Sequence, residues 1–129
     1  MASLLSKFRI DYSALKMVSD VNRRPRDSTL AYFDALIAPF LAADGERGGV
    51  TAAELAAARS RTHRHLRVRE LIGELSGGAR LVCVTQPMPR RRAVLPPALY
   101  AAWLHALASA AERVLLVRGN HAAVLTFYS

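Results

Sequence analysis

An α/β fold built on a mainly parallel sheet is predicted by three features of this chain. Two short apolar runs of strand length, Leu81–Val84 and Val114–Val117, lie on either side of a helical stretch. That stretch opens at Pro96-Pro97 and carries Leu99, Tyr100, Trp103, Leu104 and Leu107 at helical spacing. A further apolar run, Val124–Tyr128, follows a Gly-Asn turn and closes the chain. Strand–helix–strand alternation implies parallel pairing with a right-handed crossover. The closing pair, joined through Gly119–Ala122, predicts an antiparallel hairpin at the sheet edge. The expected architecture has three layers, a mainly parallel sheet flanked by helices, in the order α-β-α-α-β-α-β-β.

Each element has a local reason. Residues 3–9 place Leu4, Leu5 and Phe8 on one side at i, i+3/i+4 spacing and read as the last turns of a helix. Residues 14–18 read as a strand that leads into the polar stretch Ser19 to Arg26. Pro25 with Asp27 or Ser28 signals a helix start, and Leu30, Phe33, Ile37 and Phe40 form its stripe, with Pro39 near its end. The segment from Asp44 to Gly49 is a surface loop. Thr51 and Glu54 stand at capping-box spacing, so a long helix is expected to run from there to about Leu75. Val68, Leu71, Ile72 and Leu75 share one face of its second half, and Gly77-Gly78 ends it through a left-handed cap. The continuous apolar run Leu81–Val84 suits a strand buried on both faces of a parallel sheet. Pro97 suits the first turn of the next helix, where its missing N–H is not needed. The expected cover of the sheet is Phe33, Ile37, Leu71, Trp103 and Leu107. The first helix has no strand before it, so the N-terminal edge of the sheet reads as open, with Ser129 as a natural end and Met1 as an artificial or predicted start.

Composition narrows the class. A chain of 129 residues, 52% of them hydrophobic, favours a single domain over residues 1–129 with an ordinary core. No apolar run approaches the roughly 20 residues that span a bilayer. The start lacks the layout of a signal peptide, which implies a soluble, intracellular chain. Cys83 is the single cysteine, which excludes an internal disulfide and a thiolate metal cage; its place within an apolar run reads as a buried small hydrophobe. The net charge is +8, and Lys7 and Lys16 are the only lysines, so the basicity is arginine. A basic surface favours anions: nucleic acid, an acidic protein or the anionic inner leaflet of a membrane. Heavy use of Ala and Arg also follows from a GC-rich genome, so the charge alone does not name a partner.

The densest basic patch is Arg61-Thr-His-Arg-His-Leu-Arg-Val-Arg69. On a helix its charges spread around the axis, with Leu66 and Val68 as a buried seam beside a solvated face. Arg61, Arg64, Arg67 and Arg69 are therefore candidate partner contacts, with Arg90, Arg91 and Arg92 in the loop after the first central strand. No aromatic residues interleave with the patch to stack bases, so nucleic acid is not the expected partner. His63 and His65 stand at i, i+2, on different faces, where metal pairs on a helix prefer i, i+4. The arginines of 90–92 could meet a phosphate at a strand C-terminal end, yet neither GxGxxG nor GxxxxGK[ST] is present. There is no GxSxG; Asp11, Asp20 and Asp34 read as scattered surface carboxylates. Neither catalysis, a cofactor nor a metal is expected. The rival reading is a stand-alone α/β module that binds a nucleotide or another anion.

Several segments, in register, resemble the C-terminal cytoplasmic region of the cation-chloride cotransporters of solute carrier family 12, in the sodium-dependent Na-K-Cl and Na-Cl branch. Leu4-Leu-Ser-Lys-Phe-Arg-Ile-Asp11 is similar to that branch's helix-to-strand entry, and Ala31 to Phe40 to its next helix. Arg64-His-Leu-Arg-Val-Arg-Glu-Leu-Ile72 resembles its basic helix. Leu81 to Leu107, with Pro89-Arg90-Arg91 and Leu99-Tyr-Ala-Ala-Trp-Leu104, is similar to its strand, PRKG-type loop and LYMAWLE helix. Arg118-Gly-Asn and Val124-Leu-Thr-Phe-Tyr-Ser129 resemble the family's close. Arg92 stands where the family tends to have glycine, and Gln86 and Ala101 replace apolar positions. The resemblance implies a regulatory and assembly module, similar in style to a universal stress protein. It would be homodimeric, coupled to a transmembrane domain on the cytoplasmic face of a membrane, and in possible contact with its anionic surface. Transport of sodium, potassium and chloride would belong to the parent protein, and no ion-binding residue carries over.

Overall fold

Helices and strands form where apolar spacing and stop signals agree. The computed structural model describes residues 6–7, 11, 14–42, 48–89 and 95–119. Helix α1 (Asp27–Ile37) follows the buried Pro25, and Asp27 in its first turn faces the positive end of the helix dipole. Phe33 and Ile37 are buried along it. The next turn, Ala38–Phe40, tightens to a 3₁₀ helix at Pro39, whose missing N–H cannot continue the α ladder. That tightening turns Phe40 off the expected stripe, and it is exposed.

A parallel bridge joins Leu41 to Val50. The Ala42 N–H donates to the Val50 carbonyl at 3.0 Å, and the Val50 N–H to the Phe40 carbonyl at 2.8 Å. Two glycines make the bridge possible. Gly48 has φ +95°, and a Cβ on Gly49 would fall 2.1 Å from the Ala42 Cβ.

Helix α2 (Ala52–Ser76) spans 25 residues. Its capping box forms as the sequence predicts. The Glu54 N–H donates to Thr51 Oγ1 at 3.2 Å, and the Thr51 N–H donates to Glu54 Oε2 at 2.9 Å. At its other end the left-handed cap does not form: Gly77 keeps right-handed dihedrals, φ −58° and ψ −29°. Glycine is needed there for closeness, because a Cβ would sit 2.6 Å from the Gly73 carbonyl oxygen. The face expected to be buried also shifts. Of Val68, Leu71, Ile72 and Leu75 only Ile72 is buried, whereas Ala58, Thr62, Leu66, Arg67 and Glu70 are.

Strands β1 (Val82–Thr85) and β2 (Val114–Val117) pair in parallel, with Val82 opposite Val114 and Thr85 opposite Val117. Helix α3 (Pro97–Ala108) connects them, so a β-α-β unit stands where alternation predicted it. Pro97 occupies its first turn. The core lies between the helices: Phe33 and Ile37 of α1, Ala58 and Leu66 of α2, and Leu99, Ala102, Trp103 and Ala106 of α3, closed by Val50. Trp103 is 3% exposed, and its indole N–H donates to Thr62 Oγ1 at 3.0 Å. The ring therefore gains apolar contact without stranding its donor.

The sheet departs from expectation in two respects. Both strands alternate half-buried and exposed residues, so burial on both faces does not hold. Leu81, Leu115 and Val117 are 54%, 50% and 46% exposed, and Cys83 is exposed where a buried side chain was expected. The helices cover one face, and nothing among the described residues covers the other. The strand expected over 14–18 does not form. A strand needs a ladder partner, this segment has none among the described residues, and Met17 is 83% exposed. Ser6 and Lys7 are helical, while the rest of 3–9 and the Val124–Tyr128 run of the expected hairpin lie outside the described residues. Those residues thus form a small α/β domain with a two-stranded parallel sheet.

Two substitutions check this account. Trp103→Ala removes a fully packed ring and should destabilise the chain by about 3–5 kcal/mol in urea unfolding. Gly49→Ala should lower the unfolding midpoint, whereas the same change at Gly78, which has nothing within 4 Å of its Cβ position, should leave it nearly unmoved.

Candidate functional site

The basic run of α2 is divided by the helix into inward and outward charges. At i, i+3 spacing Arg67 and Glu70 meet on the buried side, with Arg67 Nη1 2.8 Å from Glu70 Oε2. The same guanidinium pairs with Asp20, donates its Nε–H to the Asp20 carbonyl at 3.4 Å, and approaches Glu74 at 3.6 Å. Glu70 also accepts the backbone N–H of Arg26 at 2.8 Å, the N-cap position of α1. The Arg26 side chain in turn pairs with Glu74. One cluster therefore fastens the segment before α1, and the start of α1, to the middle of α2.

The electrostatics agree with this geometry. The Glu70 and Asp20 hydrogen bonds hold the Arg67 guanidinium firmly charged, against the cost of its burial. For Glu70, burial raises the carboxyl pKa, but hydrogen bonds from Thr29, the Arg26 backbone and Arg67 outweigh it and the net shift is downward. Asp20 is lowered chiefly by its hydrogen bond from Arg67. Asp20 is thus no ordinary surface carboxylate, as its sequence context had suggested. Its role is invisible locally because its partner lies 47 residues away.

The other arginines of the run go elsewhere. The Arg61 guanidinium lies 5.6 Å from the centre of the Trp103 ring, and Arg69 lies 4.4 Å from that of Tyr32. Arg69 also donates to the Ala106 carbonyl and to Ser109 Oγ, both at 2.7 Å. Arg64 is exposed. Arg90, Arg91 and Arg92 lie outside the described residues. His65 packs against Trp103 with ring centres 4.8 Å apart. Burial, helped by Arg64 and Arg61, pushes its pKa down to about 4. His63 is lowered too, by burial and then by Arg59 and Arg24. Among the described residues, no three His, Cys, Asp or Glu side chains gather as a metal set. No helix among them is long and apolar enough to cross a membrane.

The described residues form a small α/β domain with a two-stranded parallel sheet, and the sequence places it within a lineage. The chain belongs to solute carrier family 12, whose family model matches residues 1–129. It is 45% identical over 130 residues to the bumetanide-sensitive sodium-(potassium)-chloride cotransporter of Manduca sexta. It is 39% and 37% identical over 142 residues to solute carrier family 12 member 2 of Mus musculus and of Homo sapiens. Each alignment takes in 100% of the chain and 12% of the relative, so the chain spans about an eighth of those proteins. The resemblance to the Na-K-Cl branch is thereby established.

The ion cluster and His65 give a pH dependence of one sign. A lowered His65 binds its proton in the unfolded chain first, so its contribution is complete above about 6.5 and is lost as pH falls towards about 4. Lowered Asp20 and Glu70 add stability that is present above their unfolded values, near 4, and is lost below them. Unfolding midpoints should therefore fall continuously on acidification from neutral pH. His65→Gln should flatten the upper part of that curve and Glu70→Gln the lower part. Glu70→Ala, which also strands the Arg26 N–H, should cost about 1–3 kcal/mol at pH 7 by chemical denaturation.

Proposed function

We propose that this chain is part of the cytoplasmic regulatory and dimerisation module of an electroneutral cation-chloride cotransporter of the sodium-dependent branch. The observation that carries the reading is the match of residues 1–129 to the family, at 37–45% identity to proteins named as its cotransporters or members. In this reading residues 1–129 form one domain at the C-terminal part of that module. The parent protein moves sodium, potassium and chloride through its membrane domain. The chain itself transports nothing and catalyses nothing.

The half-covered sheet supports the reading. Parallel strands are stable when both faces are packed. Here the face with Cys83, Leu115 and Val117 is open among the described residues. A further layer from the rest of the module, or from a second copy, completes the three-layer arrangement similar to universal stress proteins. Arg64, with Arg90, Arg91 and Arg92, supplies positive charge for the transmembrane domain or for the anionic surface beside it, whereas Arg61 lies over the Trp103 ring. Arg67 and Arg69 contribute through the fold, since both side chains are held by intramolecular partners.

Sedimentation of the 129-residue chain over a range of concentrations tests the association. It should dimerise, and Leu115→Lys should weaken the dimer by about tenfold while leaving the thermal midpoint in place. A chain that stays monomeric throughout, and a full-length parent whose assembly and ion uptake ignore the same substitution, would remove the basis for the proposal.

A further inference from the structure

An open groove of about 660 Å³ runs between α1 and the first half of α2. Leu30, Phe33, Ile37 and Leu55 make its apolar floor. Arg24, Arg59 and His63 line its rim. Arg59 and His63 stand one turn apart on α2, at i, i+4, so they share a face. Arg24 reaches the same mouth from the segment before α1, and Asp34 is the one carboxylate in the lining. Among the described residues Arg59 has no carboxylate within ion-pairing distance, while Arg24 is shared with the exposed Asp27 at 2.8 Å. Partial burial, and then the charges of Arg59 and Arg24, hold the His63 imidazole below its usual range.

Two chemistries are therefore combined in one groove, and together they define the occupant. A free inorganic anion would meet the rim but leave the apolar floor uncovered. A neutral hydrophobic ligand would fill the floor and leave the arginines unanswered. A lipid surface is too flat to enter between two helices. Nucleic acid would need aromatic faces to stack its bases, and Phe33 is 5% exposed. An amphipathic protein segment supplies both, with aliphatic side chains one turn apart for the floor and carboxylates along the flank.

We propose that the α1–α2 groove is a docking site for a short acidic amphipathic protein segment, seated on Leu30 and Leu55 and held by Arg59, Arg24 and His63. The site is separate from the open sheet face, and the proposal does not depend on the dimerisation reading above. The test uses the 129-residue chain and three synthetic peptides: one with leucines at i, i+4 flanked by glutamates, the same peptide with lysine for each glutamate, and a scramble of the first.

The acidic amphipathic peptide should shift the Leu30 and Leu55 methyl and His63 imidazole resonances and raise the His63 pKa. Its binding should weaken as salt is added. Arg59→Glu should reduce affinity by about tenfold without moving the melting temperature, and Leu55→Gln should weaken it through the floor. The lysine peptide and the scramble should leave the groove resonances in place. Equal binding of the lysine peptide, indifference to both substitutions, or the same shifts with inorganic phosphate alone would overturn the proposal. Stronger binding to vesicles of anionic phospholipid than to the peptide, with the same groove resonances responding, would assign the surface to lipid and overturn it as well.

Discussion

The Arg67–Glu70 pair is the constraint on which the arrangement of this chain depends. Burying a guanidinium is costly unless every donor finds an acceptor and its charge finds a counter-charge. Here the acceptors come from three places in sequence: Glu70 one turn along α2, Asp20 in the segment before α1, and Glu74 a further turn away. Glu70 uses its other oxygen on the N-cap amide of α1. The ion pair is therefore also a register device. If α1 slid along α2 by one turn, an amide, a carboxylate and a guanidinium would lose their partners together. An apolar contact between the same helices would tolerate such a shift far better.

Trp103 supplies the complementary fixed point on α3. Its ring is packed among the helices, and its N–H is directed at Thr62, one turn before Leu66. Small residues on the facing surfaces, Ala58 on α2 with Ala102 and Ala106 on α3, let the helices approach closely around it. The hydrophobic contribution and the polar fixings are thus interleaved along α2. The apolar part faces α3, and the charged part faces the start of α1.

The elements that were legible in the sequence are those fixed by local chemistry. Thr51 with Glu54, Pro97 at a helix start, Pro39 at a helix end and the two central apolar runs each act within one turn or one strand. What was not legible depends on partners distant in sequence. Residues 14–18 have strand composition, but composition does not supply a ladder. Cys83 sits in an apolar run, yet the two-residue period of a strand sends it to the uncovered face. The basic run looked like a uniform patch. Only the positions of Asp20, Tyr32 and Trp103 separate Arg67, Arg69 and Arg61, which the fold engages, from Arg64, which it leaves exposed. The groove rim was missed for a similar reason. Arg24, Arg59 and His63 come from two segments, and only the i, i+4 relation of the last two was visible along the chain.

The exposed thiol on the sheet has a practical consequence. Cys83 is the chain's single cysteine, and it stands at the centre of the open face, opposite Leu115. Its alkylation rate is a built-in gauge of whether that face is occupied, and it needs no engineered label. Thiol chemistry on a longer protein would read the same surface, once its other cysteines were replaced, and would turn the covering of a sheet into a rate that a stopwatch and a mass spectrometer can follow.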